Sequence, residues 1–342
     1  MKLFVVMPHK FAGCGYYRQY QPNVRLSEQG INVTIGAGFT KVDNNEMTDD
    51  ELREYDLFLY HKGYINFQEF HRLNNLGIPW VLDFDDHWRL DTEHVLYKKW
   101  KEKGTTESMI EAARLAPYLS ASTPLLAEEL SKLNKNVSVF ENAMNPQDVR
   151  GERMPEEFTF GYLGGHCHVK DVESMRGITS MVSDVKVRLF GYDNGPVYNG
   201  YADVLSNGGK LKKFSCVPGV NIWQYHELYN YLDVSIVPLV DNSFNRYKSE
   251  LKLIEAGFFK KAVIASDVWP YKYVKNGWLR VKKRQDWVKH IKYLKNNPEA
   301  AKDLGEELYE EVKDKYHLDT VNKKRLKLYQ DVSAKFNNIS GV

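Results

Sequence analysis

The chain has 342 residues, more than one hydrophobic core usually supports, so two domains of similar size are expected. Apolar content of 43% and charged content of 27% describe a soluble globular protein, and 47 basic against 45 acidic residues leave a net charge of +2, too balanced to advertise non-specific nucleic-acid binding. Cys14, Cys167 and Cys216 are widely separated and show no metal-ligand spacing, which points to free thiols in a reducing compartment and a cytoplasmic location.

The segment Leu3-Phe4-Val5-Val6-Met7 is too short for a signal h-region and suits a first buried strand. No apolar run approaches the length that crosses a bilayer, although peripheral contact with a membrane surface stays open. Short apolar runs then alternate with helix-period segments. The first half predicts strands at 2–7, 31–36, 56–60, 79–84, 118–121 and 136–140, several near-continuously apolar as strands buried on both faces are. Helices are expected at 16–29, 64–75 and 105–115, and at 124–133 after Ser122-Thr123-Pro124, an N-cap followed by proline at N1.

A polar, proline-containing stretch at 142–157 reads as a linker. The alternation restarts with strands at 158–163, 185–190, 211–217, 232–237, 261–265 and 278–281. Residues 284–337 read as helix, broken near Asn297-Pro298, and the piece 319–337 is placed back across the first domain. Two successive βαβ runs predict an α/β fold of two Rossmann-like, doubly wound parallel-sheet domains, 1–150 and 151–318, with the ligand in the cleft between them. The basic run from Lys282-Lys283-Arg284 to Lys295 reads as a solvated helix face.

The stretch from Asn245 to Gly257, running into Ala262-Val263-Ile264-Ala265-Ser266, carries the strongest functional pattern. It reads as a turn with two cations, then a helix, then a buried strand. Unpaired N–H groups and partial positive charge make a helix start a diphosphate cradle, and Arg246 and Lys248 add full charges there. Glu255, seven residues beyond Lys248, is placed on the same face, where its carboxylate can accept from ribose hydroxyls. Asn245 and Ser249 belong to the same donor-binding turn. An ordinary amphipathic helix, with Leu251, Ile254 and Phe258 inward, is the competing reading.

Asp83, Asp85, Asp86 and His87 follow a buried strand, where α/β folds present reactive side chains. Crowding of these groups would raise the pKa of one carboxylate and make it a proton acceptor for a sugar hydroxyl, so Asp85 and Asp86, together with Arg246 and Lys248 on the departing diphosphate, are the catalytic candidates; a loop that only caps a helix is the alternative. Asp83-Phe84-Asp85 is also a literal D-x-D, a metal–diphosphate motif, but such short matches arise by chance and no metal or other cofactor is expected. His166-Cys167-His168 lacks further ligands at metal spacing and reads as a cleft loop, with His168 touching the donor. Gly13, Gly15, Tyr16, Tyr17 and Arg18 after the first strand, with His61, Asp85 and His87, are the acceptor-side candidates.

Taken in order, these segments resemble GT-B glycosyltransferases, and among them the retaining group 1 enzymes of family four. Gly13-Cys14-Gly15-Tyr16-Tyr17-Arg18 looks like the family's glycine loop, Ile78-Pro79 through Asp86 like its proline–strand segment, Ser122-Thr123-Pro124 like its helix start and Asn142 like its inter-domain turn. Phe160-Gly161-Tyr162-Leu163-Gly164-Gly165 with Lys170-Asp171 resembles the first strand and phosphate loop of the second domain, and Leu251 to Ser266 its signature helix and strand. The departures are specific. The family's glutamate pair, eight positions apart, falls on Tyr247 and Glu255, so only the ribose contact carries over. Its phosphate-loop arginine falls on Gly165, while Lys170 matches the partner lysine. Asp85 stands where a histidine is frequent.

The resemblance implies transfer of a sugar from a nucleoside-diphosphate sugar to a glycan, lipid-linked or other hydroxyl acceptor, with retained anomeric configuration and no metal. The second domain would hold the donor through Gly164, Gly165, His168, Lys170, Asn245, Arg246, Lys248, Ser249 and Glu255, and the first the acceptor. One rival is glycosylation of modified DNA bases, against which the acid-crowded 83–94 segment argues because a duplex needs a basic groove. The other is a non-catalytic nucleotide- or glycan-binding module, suggested by the missing first glutamate.

Overall fold

Twelve strands build two all-parallel sheets of six in the computed structural model, which describes residues 1–7, 13–39, 46–62, 66–182 and 184–340. The first sheet contains β1 (Lys2–Val6), β2 (Asn32–Gly36), β3 (Leu57–His61), β4 (Trp80–Phe84), β5 (Tyr118–Ala121) and β6 (Val137–Val139). Its order is β2-β1-β3-β4-β5-β6. The second contains β7 (Thr159–Leu163), β8 (Lys186–Tyr192), β9 (Phe214–Pro218), β10 (Val234–Val237), β11 (Ala262–Ser266) and β12 (Leu279–Val281), in the order β12-β11-β10-β7-β8-β9. Every predicted strand is present with ends shifted by a few residues; the central ones, such as Leu57–His61 and Trp80–Phe84, are mostly apolar and buried on both faces, while β2, β6 and β9 at the sheet edges are only partly buried.

In each sheet the strand order reverses once, between β1 and β3 and between β7 and β10. Ligands of doubly wound sheets bind beyond the strand ends at such points. The segments to watch are therefore those after β1 and β3 in one sheet, and after β7 and β10 in the other.

Three helical details depart from the sequence reading. Gly13–Gly15 is a helical turn rather than a loop, and the expected helix 16–29 is split into a π-helical stretch, Tyr16–Tyr20, and an α-helix, Gln21–Glu28. Pro22 has no N–H to donate into the preceding turn, which favours a break in regular α-geometry there. Beyond the break at Pro298, the C-terminal helices part a second time between Val312 and Leu318. The Met144 N–H donates to Tyr316 O at 2.9 Å and the Leu318 N–H to Met144 O at 2.8 Å, so the chain extends here to pair with the segment leaving the first sheet.

The last helix, Leu318–Ser340, packs Leu318, Val321, Tyr329 and Val332 against Leu3, Val5, Leu57 and Leu59 of the first sheet. The Arg25 guanidinium clamps Asp319 at 2.8 Å. Helix Pro298–Val312 seats the short helix Leu251–Phe258: a Cβ on Gly257 would lie 2.7 Å from Val312. No helix among the described residues is long and apolar enough to cross a membrane.

Candidate functional site

The loops after β3, β4 and β10 converge on a cluster of four charges. Lys62 follows β3 and takes a left-handed conformation, φ +50°, unusual for a side chain with a Cβ. Its ammonium pairs with Asp85, at a very short separation, and with Asp86 at 3.0 Å. From the second domain Lys248 reaches Asp86 at 3.4 Å, with its ammonium 4.7 Å above the Phe244 ring. His61 Nε2 lies 3.0 Å from Asp85.

The electrostatics run opposite to the sequence expectation for the carboxylates. Burial pushes Asp85 up, but the Lys62 and His61 charges outweigh it and hold Asp85 well below the usual carboxylate range. Burial opposes ionisation of Asp86 too, and Lys248 and Lys62 bring it below the ordinary value. Lys62 is correspondingly raised, and so is Lys248, burial being offset by the carboxylates. A sequence count of Asp83, Asp85, Asp86 and His87 leaves out the two cations that fold against the aspartates: Lys62 and Lys248 favour their charged forms. Neither aspartate is a strong base here.

The D-x-D reading also fails on partners. Asp83 is held by Arg18 at 2.6 Å and by Ser120 at 2.6 Å, while Asp85 faces Lys62, so the two carboxylates do not converge on one point. Cys14, Asp85 and Asp86 do bring three potential metal-ligand atoms within 4.8 Å of one another. Two ammonium groups already supply positive charge to those carboxylates.

A cavity of about 270 Å³ opens beside the cluster and is lined from both domains. Glu93 and His94 face Lys170, Asp171 and Asn245 across it. Lys170 bridges it with an exposed ion pair to Glu93 at 2.6 Å. Burial, reinforced by the Lys248 charge, pushes His94 below the usual histidine value. Asp171 organises the second-domain wall, accepting from the Val240 N–H at 2.8 Å and from Asn245 Nδ2 at 3.1 Å, and meeting His168 Nδ1 at 2.7 Å. Gly164 and Gly165 turn the chain out of β7, their carbonyls accepting from Tyr198 and Tyr201. A Cβ added at Gly165 would meet nothing within 4 Å. A larger hollow of about 540 Å³, walled by Thr179 and Lys210 to Lys213, contains none of these residues.

The two cations of the Asn245–Tyr247 turn part company. Lys248 enters the cluster, but Arg246 is exposed and pairs with Asp241 at 2.7 Å, so the expectation that both face one phosphate does not match their positions. The helix begins only at Leu251, which removes the shared helical face expected for Lys248 and Glu255. Glu250, just before it, is buried and accepts from Tyr316 at 2.5 Å. Ser249 accepts from Asn142 Nδ2 at 2.7 Å. Glu255 is 1% exposed. Its oxygens accept from Tyr17 at 2.5 Å, Tyr229 at 2.8 Å and Lys252 at 2.9 Å.

Several acceptor-side candidates are enclosed instead of forming an open wall: Tyr16, Tyr17 and His87 meet Trp223, Glu255 and Tyr247 across the seam between domains, and Arg18 is buried within the first. Tyr16 donates to Asp148 at 2.9 Å, and Tyr17 meets both Glu255 and His226. Arg18 is 2% exposed and spends its donors on Asp83, Phe140 O and Asn142. His87 accepts from the Arg89 N–H and is stacked between Trp88 and Tyr247 at centroid distances of 4.4 and 4.5 Å. Lys62, Glu93, His94 and Asp171 emerge as site residues that sequence reasoning did not select. For Lys62 the available sign was its place just past β3, at a reversal point of the sheet; its backbone conformation left none.

The sequence matches no family model and no curated protein. Solved structures do match along nearly the whole chain. Sucrose-phosphate synthase from Thermosynechococcus elongatus superposes with a TM-score of 0.75 at 14% identity, covering 98% of this chain and 100% of that one. A glycosyltransferase from Rickettsia africae gives 0.72 at 13% identity, covering 97% and 98%. Anabaena HepE, in complex with UDP and glucose, gives 0.67 at 11% identity, covering 96% and 98%. At such identities the likeness establishes architecture: this chain has the two-domain GT-B fold.

Proposed function

We propose that this protein is a glycosyltransferase that moves a sugar from a nucleoside-diphosphate sugar, held by the second domain, to a hydroxyl acceptor on the first. The observation that carries the reading is the Lys62–Asp85–Asp86–Lys248 cluster, built from the segments after β3 and β4 of the first sheet and after β10 of the second. HepE, of the same fold, has been solved with UDP and glucose, which supports a nucleotide-sugar donor.

In the transfer the bond from the anomeric carbon to the phosphate oxygen breaks and a bond to the acceptor oxygen forms. Negative charge grows on the departing diphosphate. Lys248 and Lys62 offer it two fixed cations in a partly buried site, and Lys170 offers a third at the rim. With cations supplied by the chain, no metal is invoked. Asp85 and Asp86 are held too acidic to be strong bases, so the acceptor proton is assigned to the departing phosphate oxygen. That route keeps attack and departure on one sugar face and suits retention of configuration. Closure of the cleft across Lys170–Glu93 would exclude water and limit donor hydrolysis.

A binding module without turnover is favoured by one observation: Tyr247, where the family has its first glutamate, packs its ring on His87. A panel of nucleotide sugars, scored first by thermal shift and then by release of free nucleotide, separates the two readings. Stabilisation by a donor with no nucleotide release under any acceptor would leave binding alone. Release that Lys248→Met abolishes supports the transferase.

A further inference from the structure

A second groove, of about 410 Å³, lies between the two domains on the other side of the 241–248 loop. Leu125, at the start of the helix Pro124–Ser131, borders it from the first domain, and Asp241, Arg246, Asp267, Trp269 and Lys272 from the second. Trp269 is 42% exposed. The Tyr273 ring meets its indole edge-on at 6.1 Å, and the Tyr273 hydroxyl in turn accepts from the Leu125 N–H at 3.2 Å. The platform is thus anchored on both domains while much of its surface stays open.

Three features select a ligand chemistry. A saccharide ring presents an apolar C–H face to an aromatic plane and a rim of hydroxyls that both donate and accept. The groove wall carries both kinds of group: the Asp241 carboxylate is held by Arg246 and that of Asp267 by Arg280, each oxygen pair keeping lone pairs to accept, and Lys272, its ammonium 5.8 Å from the centroid of the Trp269 ring, is a donor beside the platform. Two carboxylates against two cations leave the wall balanced, which disfavours a polyanion such as nucleic acid or an anionic lipid surface. Its position selects the source. Arg246 and Lys248, two residues apart, point to opposite sides of one turn, one toward this groove and the other into the charge cluster.

We infer that this groove is a subsite for a neutral glycan, the non-reacting saccharide units of the acceptor, with Trp269 as the stacking platform. The assignment of those units to an acceptor rests on the transferase reading above; the binding of a neutral glycan does not. The chemical class of acceptor is then an oligosaccharide or glycan chain in preference to a small alcohol.

The test uses the full chain and its Trp269→Ala and Trp269→Phe variants. Maltotriose, cellotriose, chitotriose and an array of neutral tri- to hexasaccharides are the glycan probes, and UDP is the donor-side probe, all read by calorimetry. At least one neutral oligosaccharide should bind, Trp269→Ala should weaken it about tenfold or more, and Trp269→Phe should restore most of the loss. UDP affinity should hold in both variants. Absence of neutral-glycan binding, an unchanged affinity in Trp269→Ala, or a matching loss of UDP affinity that marks a nucleoside platform would each overturn the subsite. Glycan binding lost with Trp269→Ala, in a protein that never releases nucleotide from a donor, upholds the subsite while removing the transferase.

Discussion

Lys248 Nζ lies 3.4 Å from Asp86 Oδ1, joining positions 162 apart in sequence and one domain to the other. Asp86 is shifted below its ordinary value, so its share of the attraction is present above the unfolded-state pKa of about 4 and fades as pH falls through the lower folded value. Lys248 is shifted up, so its share is present below about pH 10 and fades as pH rises through the higher folded value. Between those limits the contact holds. Lys248→Met should lower kcat about 100-fold or more, with a smaller change in donor affinity, if the ammonium acts mainly on charge that develops during transfer. Steady-state kinetics with the donor found by thermal shift checks it; a change in KM alone would assign Lys248 to ground-state binding.

Lys62 is the first-domain ammonium of the cluster, shared by Asp85 and Asp86, and it sits in a strained conformation. Lys62→Gly relieves the strain and removes the charge; Lys62→Met removes the charge alone. In both, Asp85 and Asp86 lose a shared counter-ion, and one carboxylate should rise toward neutrality. The pH–rate profile should gain a new ionisation above the ordinary carboxylate range, belonging to the aspartate pair. Equal profiles in wild type and both variants would show that the cation is not setting those carboxylates.

Arg18 and Asp83 make a buried structural pair. Burial alone would push Asp83 up, but Arg18 brings it below the usual range, so ionised Asp83 stabilises above about pH 4 and progressively less as pH falls through its folded value. Arg18→Met strands a buried carboxylate and should cost about 3–5 kcal/mol in urea unfolding. Asp83→Asn should cost a similar amount. Arg18→Met together with Asp83→Leu should recover part of it, which a ligand-contacting arginine would not do.

The central strands were legible because burial on both faces writes a mostly apolar run: Phe58, Leu59 and Tyr60 in β3 and Trp80, Val81 and Leu82 in β4 are examples. Asp85, Asp86 and Lys248 were legible because loops after such strands end at the cleft. Arg246 was misplaced for a physical reason: the Asn245–Tyr247 turn rotates successive side chains to different sides, and Asp241, five residues back, takes the guanidinium. Arg18 was misplaced because its partner Asp83 is 65 positions away, so a surface-like cation became a core group. The break before Leu318 carries no proline or glycine and comes from pairing with Met144, which no local pattern shows.

Lys170 and Glu93 span the mouth of the 270 Å³ cavity, both more than half exposed. Exposed pairs contribute little to stability. Glu93 therefore competes with an incoming phosphate for Lys170 without holding the domains together. Glu93→Gln should leave the melting temperature unchanged and tighten UDP by about two- to fivefold, less at high salt. Titration at two ionic strengths reads this directly. Weaker UDP binding in the variant would mean that Glu93 contacts the ligand itself.

Glu255 raises the sharpest conflict between family resemblance and structure. A ribose-binding carboxylate needs an oxygen open to the cleft, yet Glu255 is 1% exposed, Oε1 accepts from Tyr17, and Oε2 accepts from Tyr225, Tyr229 and Lys252. Burial opposes its charge, and Lys252 and His226 outweigh burial to keep it below the ordinary glutamate value, so it is an ionised acceptor at neutral pH. Tyr17 belongs to the first domain; the other donors to Glu255 belong to the second. Opening of the seam would release Oε1 alone, leaving the carboxylate held in place by Lys252. Tyr17→Phe removes that competitor and should tighten UDP several-fold, since a hydrogen bond to a charged group is among the stronger ones. The gain should shrink for 2′-deoxy-UDP and vanish in Glu255→Gln, whose own UDP affinity should fall. The four proteins form a double-mutant cycle with a non-zero coupling. Zero coupling, with UDP and 2′-deoxy-UDP bound alike throughout, would make Glu255 a buried clamp for tyrosines and move the ribose elsewhere in the cleft.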